Sequence, residues 1–457
     1  MIIENQSSYD HLINDIKNSD YIILPILLDK NRHAKNNSIS CIYIYVIKSK
    51  IDYLIVFNHN DKLFDIDIKT FFTQINNDCN KYTLDKKILN HFYIFNNVID
   101  INLLYYLAEH NTINTENILT NSHTYFFNKY HSISDVNKLV PLMKHLEYGT
   151  NFTSECKKIL IKNMDFTKTT IFRFYNNIVI CNLFEIEKNG LYSNFEIVNE
   201  LFPDKYKYHD NDKKLLYSNY NLYTSTGRPS NTNNGINLAA LNKTNGSRSI
   251  IKSRFNNGVL LEFDYVAYHP NIIMNMIDYK IPGDISVYEY LGRFFFGKDI
   301  LTPEELNESK QITFRLLYGG IEPAFENIDL LKQINKLIHS LWSTMKKQGY
   351  IESLLTKRKI KLCNIDTPSV YKLWNYYIQL LETEQSMYNM YNLLKYLKPL
   401  KSKLILYTYD SFLIDFNKLD GKESIHKIKE ILENNNQFKC SVSYGHSYDK
   451  MIKIVNI

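Results

Sequence analysis

Two aspartates at the ends of apolar runs carry the strongest chemical signal in this sequence of 457 residues. The first ends the run Leu260-Leu261-Glu262-Phe263-Asp264-Tyr265, just before a helical pattern opens at Tyr268-His269-Pro270-Asn271. The second lies far downstream, in Leu404-Ile405-Leu406-Tyr407-Thr408-Tyr409-Asp410-Ser411-Phe412-Leu413-Ile414-Asp415. An unpaired carboxylate is costly inside a sheet, so such an Asp belongs at a strand tip that faces a groove. The downstream stretch reads as a hairpin with Asp410 near its turn. If the two strands are neighbours, Asp264 and Asp410 converge and can bind two divalent cations between them.

A third stretch, Thr302 to Gly320, offers groups of another kind. Thr302 can cap a helix, Pro303 suits its first position, and Glu304 and Glu305 favour the positive end of its dipole. Gly319-Gly320 ends it. Lys310, Phe314 and Tyr318 then stand four apart on one face. A cation, an aromatic ring and a phenol in register fit a nucleotide, with Lys for the phosphates and Phe for the base or sugar. The plainer reading is an amphipathic helix with core aromatics and a solvated lysine.

Polar and basic residues flank these stretches. Tyr223 to Gly235 is a polar, loop-like segment, followed by Lys243, Arg248, Lys252 and Arg254. These can hold a nucleic-acid backbone through its phosphates, or be ordinary surface charges on a solvated loop. Gly349-Tyr350 opens a strand or turn that ends in Lys357-Arg358-Lys359. Asn375 and Gln379 stand one helical turn apart, a spacing at which amides reach base or sugar edges.

Positioning such groups takes a large chain, and this one is long enough for two or three domains. Residues 1 to about 140 read as a separate α/β unit. Its strand-like runs Tyr21 to Leu28, Ser40 to Ile47 and Ile51 to Phe57, followed by helix, suggest a mixed sheet of ribonuclease H type. From about 141 to 200 the pattern is helical, and Thr167 to Lys188 is one long amphipathic candidate closed by Asn189-Gly190. Further helices are expected at roughly 268–278 and 285–296, and a closing strand pattern from Cys440 to Ile457.

The totals exclude several classes. Lys and Arg number 54 against 48 Asp and Glu, which permits nucleic acid as a partner without arguing for it. The six cysteines are scattered, so neither a zinc site nor a disulfide framework is suggested, and a reduced compartment is expected. The first residues carry no signal-peptide pattern, and no apolar stretch is long enough to span a bilayer. A cytoplasmic protein is the expectation.

In order and content, these motifs resemble those of the family A DNA polymerases, the DNA polymerase I-like family, particularly its compact bacteriophage-type members. The resemblance covers residues from about 185 to the end. Asp264-Tyr265 looks like motif A, and Lys310, Phe314, Tyr318 and Gly319 match motif B, the fingers helix, at the family's spacing. Asp410 matches the motif C aspartate, and Thr226-Gly227-Arg228 the Thr-Gly-Arg segment that contacts the primer–template. Asn375 and Gln379 match a palm helix beside the minor groove. Gly349-Tyr350 and Arg358 resemble the family's Gly-Tyr…Gly-Arg-Arg segment.

The resemblance implies an α+β right-hand polymerase, with palm and fingers in 201–457 and the fingers at about 280–365. A short helical thumb or linker at 141–200 and a ribonuclease H-like, exonuclease-type domain at 1–140 precede them. It implies addition of dNTPs to a primer 3′-hydroxyl with two Mg²⁺ ions, for which Mn²⁺ can substitute. Asp264, Asp410 and the backbone of Tyr265 would hold the metals, and Lys310 would join the two aspartates as a catalytic residue. Lys310, Phe314, Tyr318 and His269 would meet the nucleotide. Thr226, Arg228, Asn237, Lys243, Arg248, Arg358, Asn375 and Gln379 would meet the DNA. Primer–template DNA and dNTPs are the implied partners of a monomer, with no membrane. The short thumb leaves room for a processivity partner.

Three departures stand out. The family's Arg one turn before the motif B Lys is Leu306. The motif A Glu that serves as sugar gate is His269. Motif C usually reads His-Asp-Glu but is Tyr409-Asp410-Ser411 here, and an Asp-Ser pair also occurs in the related single-subunit RNA polymerases. Phe314 favours the DNA enzyme. A primer-independent RNA polymerase or primase-like enzyme stays open, as does a catalytically inactive scaffold, although Asp264, Asp410 and Lys310 argue against the latter. The first unit lacks the Asp-x-Glu that a 3′→5′ exonuclease needs on its first strand, which reads Leu24-Pro25-Ile26-Leu27-Leu28-Asp29. The close pair Asp65 and Asp67 reads as a solvated strand edge. The domain is therefore expected to be degenerate.

Overall fold

In the computed structural model, three apolar runs near the start pair in series. Tyr21–Leu27 (β1), Ile39–Val46 (β2) and Ile51–Val56 (β3) are antiparallel neighbours. Lys81–Thr83 (β4) and Val98–Asp100 (β5) extend the sheet in parallel beyond β1, giving the order β3-β2-β1-β4-β5. The structure describes residues 1–29, 32–110, 135–203, 209–210, 212–231, 236–283 and 285–455. Thr232 to Gly235 of the polar loop lie outside them. The chain divides into one unit of residues 1–223 and 231–236 and another of 224–230 and 237–457.

β2 is buried along its whole length, because helices cover both faces of its sheet. Ile42, Ile44 and Val46 join a core with Tyr9, Leu12 and Ile16 of helix Gln6–Ile16 and Phe71, Phe72 and Ile75 of helix Ile68–Ile75. The alternate residues face helix Leu142–Asn163. There the Tyr43 hydroxyl accepts from Thr153 Oγ1 at 2.9 Å, and Lys157 lies 3.7 Å from the Tyr45 ring centre. Gly149 lets helix and sheet approach: a Cβ there would lie 2.0 Å from Tyr43 Cδ2. Replacing a helical Gly by Ala gains about 1 kcal/mol in propensity, whereas overpacking a core costs about 1–3 kcal/mol and more when the neighbour is a ring that cannot retreat. Gly149→Ala is therefore expected to lower stability by at least about 1 kcal/mol net. Chemical denaturation checks this, with Asn151→Ala at an exposed position of the same turn as control; a stabilised Gly149→Ala would refute it.

The helical stretch from 142 to 189 packs within this first unit. The single helix expected over Thr167 to Lys188 is broken. Thr170–Phe174 is α-helical, Tyr175–Val179 forms a π-turn, and Ile180–Asn189 resumes the α-helix. The buried Asn176 within the π-turn explains the break. Its amide donates to Val98 O at 2.9 Å and its oxygen accepts from Asp100 N at 3.1 Å, so it serves the backbone of β5. Gly190 closes the run at φ +59, as expected. Helix Phe195–Leu201 follows, and a small sheet of Leu191–Tyr192 (β6), His209–Asp210 (β7) and Leu215–Leu216 (β8) completes the unit in the order β6-β8-β7.

Asp65 and Asp67 are not at a strand edge. Asp67 caps helix Ile68–Ile75 by accepting from Thr70 N at 2.8 Å, and Asp65 is an exposed partner of Lys62. A capping carboxylate is fully used by the first turn of its helix, which supplies a structural reason for it without any metal.

The second unit is built on Gly258–Tyr265 (β9). This is the central strand of an antiparallel sheet with Lys403–Tyr407 (β12), Ser411–Asn417 (β13), Cys440–Gly445 (β14) and Ile452–Ile454 (β15), in the order β12-β13-β9-β14-β15. Tyr350–Glu352 (β10) and Lys359–Lys361 (β11) form a separate hairpin. The longest helix, Val370–Leu397, packs against β12 and against helices Tyr268–Met276, Pro303–Gly319, Asp329–Gln348 and Glu423–Glu433. Val287–Phe296 packs on Pro303–Gly319. The cap expected at Thr302 is present and is a reciprocal capping box, with Thr302 Oγ1 accepting from Glu305 N at 3.3 Å and Glu305 Oε2 from Thr302 N at 3.0 Å. All six cysteines are free thiols, and no helix among the described residues is long and apolar enough to cross a membrane.

Candidate active site

Strand register brings the two aspartates together. β13 runs beside β9 with Ser411 opposite Asp264, so Asp410, the residue just before β13, lies next to Asp264. Tyr265 N–H donates to Asp410 O at 2.9 Å and locks that placement. Asp410 leaves the hairpin turn through Tyr409, which has φ +76 and is bridged by a hydrogen bond from Asp410 N to Thr408 O of 3.1 Å. A three-residue turn with positive φ is a strained form, and a bulky residue holds it only where its surroundings impose it. Here Ser386 Oγ donates to Tyr409 O at 3.2 Å, and the guanidinium of Arg228 lies 3.8 Å from the centre of the Tyr409 ring. The side chain of Tyr265 points away into the core. It stacks on Tyr268 at 4.1 Å between centroids and donates to Leu432 O at 2.8 Å.

The electrostatics fit a cation site. Burial, then the neighbouring Asp410 and Glu262, push the Asp264 carboxyl up to about 6. Burial, then Glu382, raise Asp410 as well. Lys243 and Lys310 oppose the first shift, and Arg228 and His269 the second, without cancelling either. Two neighbouring carboxylates, Asp264 half-buried and Asp410 open to solvent, that resist carrying negative charge are a hard oxygen donor set that divalent cations relieve. The residues therefore fit Mg²⁺ or a similar ion.

Beside them, helix Pro303–Gly319 presents an exposed Lys310 and half-buried Phe314 and Tyr318 on one face, as their spacing predicts. The Phe314 and Tyr318 rings stack at 5.9 Å with an interplanar angle of 10°, and Lys310 Nζ lies 6.0 Å from the Phe314 ring centre. The His269 Nδ1 meets the Tyr318 hydroxyl. Leu306, one turn before Lys310, is exposed.

The fold matches that of a solved POL domain. The POL domain of Pol1 from M. smegmatis, solved in complex with DNA primer-template and dNTP, matches with a TM-score of 0.71 at 13% identity, covering 98% of this chain and 99% of that one. No protein-family model and no curated protein matches the sequence. The likeness is therefore one of fold, carried by backbone and not by sequence identity.

The residues expected at a nucleic acid fall into two groups. Lys243 and Asn237 are exposed, while Asn375 and Gln379 are half-buried on helix Val370–Leu397. Thr226 is buried and its hydroxyl accepts from Arg228 N at 3.4 Å, and Arg228 is drawn to Glu382 with Nε and Oε2 3.2 Å apart. Arg248 covers the Tyr448 ring at 4.2 Å. Arg358 is only 3% exposed, and its charge acts on the buried Glu384. As placed, Arg358 offers no surface to a phosphate. Arg254, one of the basic residues after the loop, is bound to the fully buried Asp415 at 2.8 Å and is structural.

Two buried acids of helix Val370–Leu397, Glu382 and Glu384, were not foreseen. Glu382 is 1% exposed and sits against His269 and Arg228. The available signal was its spacing: it lies three residues past Gln379, which puts it on the face already singled out.

The first unit holds a second polar cluster. His33, His91 and Glu187 bring their ligating atoms within 4.8 Å of one another, a donor set that suits a transition metal. The hydrogen bonds speak against one. Lys35 N–H donates to His33 Nδ1 at 3.1 Å, which leaves the ring proton on Nε2, the atom facing Glu187. Lys87 Nζ already sits 2.6 Å from Glu187 Oε1. The cluster is an internal ion pair. Nearby, Asp85 and Asp100 follow or end β4 and β5 and cap the helices after them, accepting from Ile88 N and Leu103 N at 2.8 Å. Burial, then Asp85, push Asp100 up to about 8.

Proposed function

We propose that the chain is a template-directed DNA polymerase of the DNA polymerase I-like family, compact and bacteriophage-like, that adds dNTPs to a primer 3′-hydroxyl. The observation that carries this reading is the juxtaposition of Asp264 and Asp410 across β9 and β13, beside a helix face bearing Lys310, Phe314 and Tyr318. The shared fold with a domain solved on primer-template and dNTP supports it. The β9-centred sheet is the palm, residues about 280–365 the fingers, and the 141–200 helices the short thumb or linker.

The chain's own groups take these roles. Asp264 and Asp410, with the backbone of Tyr265, hold two Mg²⁺ ions. Bound there, the metal supplies Lewis acidity that makes the 3′-hydroxyl a better nucleophile and offsets charge on the departing pyrophosphate. Lys310 is exposed and free to meet the triphosphate. Phe314 and Tyr318 form a stacked wall for the base and sugar. Lys243, Asn237, Asn375 and Gln379 lie on the DNA side, and Arg228 beside the primer end. The first unit is a degenerate exonuclease-like scaffold. Its capping and ion-paired carboxylates are committed to helices and to Lys87.

The test is extension of a labelled DNA primer on a DNA template, with dNTPs and rNTPs in separate reactions. The expected result is extension with dNTPs that EDTA abolishes and added Mg²⁺ or Mn²⁺ restores. Extension of rNTPs without a primer would instead identify a primase-like enzyme. No extension by well-folded protein would remove the polymerase reading.

A further inference from the structure

Two segments of the second unit close on one buried carboxylate, and each passes the contact to a further one. Glu382 Oε2, on helix Val370–Leu397, lies 3.2 Å from His269 Nε2 at the start of helix Tyr268–Met276. The same oxygen lies 3.2 Å from Arg228 Nε, and Arg228 Nη2 donates to Glu382 Oε1 at 3.4 Å. His269 passes the contact on, since its other ring nitrogen meets the hydroxyl of Tyr318 on helix Pro303–Gly319. Arg228 in turn rests on the ring of Tyr409, the strained residue that delivers Asp410.

Charge fixes the direction of this chain. His269 Nε2 and Glu382 Oε2 meet as a charge contact and not as an aligned hydrogen bond, and the negative charge of Glu382 favours the ring proton on that nitrogen. In the neutral ring His269 Nδ1 is then the acceptor, and the Tyr318 hydroxyl donates to it. A carboxylate buried to this degree cannot give up its partners without a large penalty. The Tyr318 hydroxyl is therefore held in one orientation by an acid two residues away in the chain of contacts, and its single proton is already used.

We propose that Glu382 is a positioning residue: it anchors a Glu382–His269–Tyr318 chain that fixes the sugar-side wall of the nucleotide pocket and so selects 2′-deoxyribonucleotides. This rests on the polymerase reading. It also accounts for the missing motif A glutamate. The acid is supplied from another helix and acts through His269. A wall held rigid, with its donor committed, leaves an added 2′-hydroxyl neither room nor a partner, and a buried hydroxyl without a partner is rejected. A wall free to swing admits it. Because Glu382 also holds Arg228, the same acid ties the wall to the hairpin turn that carries Asp410.

The experiment measures kcat/KM for one dNTP and the matching rNTP on a DNA primer–template, in wild type, Glu382→Gln and Glu382→Asp. Gln turns either its oxygen or its amide toward His269, removes the charge and releases the fixed tautomer. Asp keeps the charge but draws the carboxylate back from His269 and Arg228 alike, which guards against a variant that fails to fold for want of a buried charge. The expected result is a rise of at least about tenfold in relative rNTP use for Glu382→Gln and a smaller rise for Glu382→Asp, since tenfold corresponds to the loss of one ordinary polar interaction. Tyr318→Phe, which removes the far end of the chain, should shift the ratio the same way, and Glu382→Gln added to it should shift it no further. An unchanged ratio in folded variants, with both nucleotides losing equally, would show Glu382 to be merely structural. Additive shifts would show that it does not act through Tyr318. Failure of wild type to extend with dNTPs would overturn the polymerase reading itself, which separates the two failures.

Discussion

Asp264→Asn and Asp410→Asn are each expected to lower primer extension by at least about 10³-fold, while metal-free Asp264→Asn protein becomes more stable than wild type above pH 6. The loss follows from the site. Each aspartate supplies a carboxylate that no neighbouring acid replaces, because Glu262 is engaged by Ser411 and Tyr448 and Glu382 is held between His269 and Arg228. A bound metal contributes several kcal/mol of charge stabilisation in the transition state, and each 1.36 kcal/mol is tenfold in rate, which sets the ~10³ floor. The stability gain follows from the same burial. The Asp264 carboxyl is raised to about 6 from an ordinary value near 3.8, so the folded state holds its proton more tightly than the unfolded chain. Stability therefore falls as pH rises from about 4 to 6 and stays low above that, by about 2–3 kcal/mol for a shift of this size. Asn carries no charge and escapes that cost. Denaturation in EDTA at pH 4 and pH 8 checks the sign: the variant's advantage should be present at pH 8 and absent at pH 4. Added Mg²⁺ should stabilise wild type at pH 8 and not the variant, because only the former binds it in the folded state. An equal effect at both pH values, with Mg²⁺ silent, would mean that Asp264 is no part of a cation site.

The second unit was legible because its signals are local. A strand that ends in Asp264, a hairpin that turns at Asp410, and a capped helix with residues four apart each follow from periodicity and capping over a dozen residues. The structure keeps all three. What the sequence concealed depends on contacts between distant segments. Arg228, Arg254 and Arg358 look alike as basic residues near a loop or hairpin. Arg254 is bound to the buried Asp415 and Arg358 lies beside Glu384, yet both acids sit in runs that read as ordinary strand or helix. Glu382 looks like a surface acid until His269 and Arg228 are seen to close on it. The break at Tyr175–Val179 escaped for the same reason, since nothing local shows that Asn176 bonds the backbone of β5. In the first unit, Asp65 and Asp67 are the pair that stands out locally, being close in sequence and exposed. Asp85, Asp100 and Glu187, far apart in sequence, are the acids that meet inside.

Lys87→Met is expected to destabilise the first unit by about 3–5 kcal/mol, the usual loss when one partner of a buried ion pair is removed. Lys86 and Lys87 are both buried. The Lys87 ammonium donates to Glu187 Oε1 at 2.6 Å, to Tyr220 O at 2.6 Å and to Asn219 Oδ1 at 3.0 Å. It is the strongest partner of an acid that is 1% exposed. Burial alone would raise Glu187, but Lys87, then His91 and His33, overcome it and bring the carboxyl down to about 2. A depressed carboxylate contributes stability that is present above its unfolded value, near 4.5, and is lost as pH falls toward 2. Without Lys87 that contribution shrinks and the charge remains, since His33 is a neutral donor: burial holds it down at about 3. Glu187→Gln should be milder, because its oxygen can still accept from Tyr220 N, which now lies 2.6 Å from Glu187 Oε1. The double variant Lys87→Met with Glu187→Gln should recover at least half of the loss, since an apolar group facing a neutral amide leaves no buried charge. Chemical denaturation of all three proteins at pH 7 decides it. A single variant within about 1 kcal/mol of wild type would mean that water reaches Glu187 and the pair is not internal. A double variant no better than the single would mean that Lys87 acts by packing its stem, not by its charge.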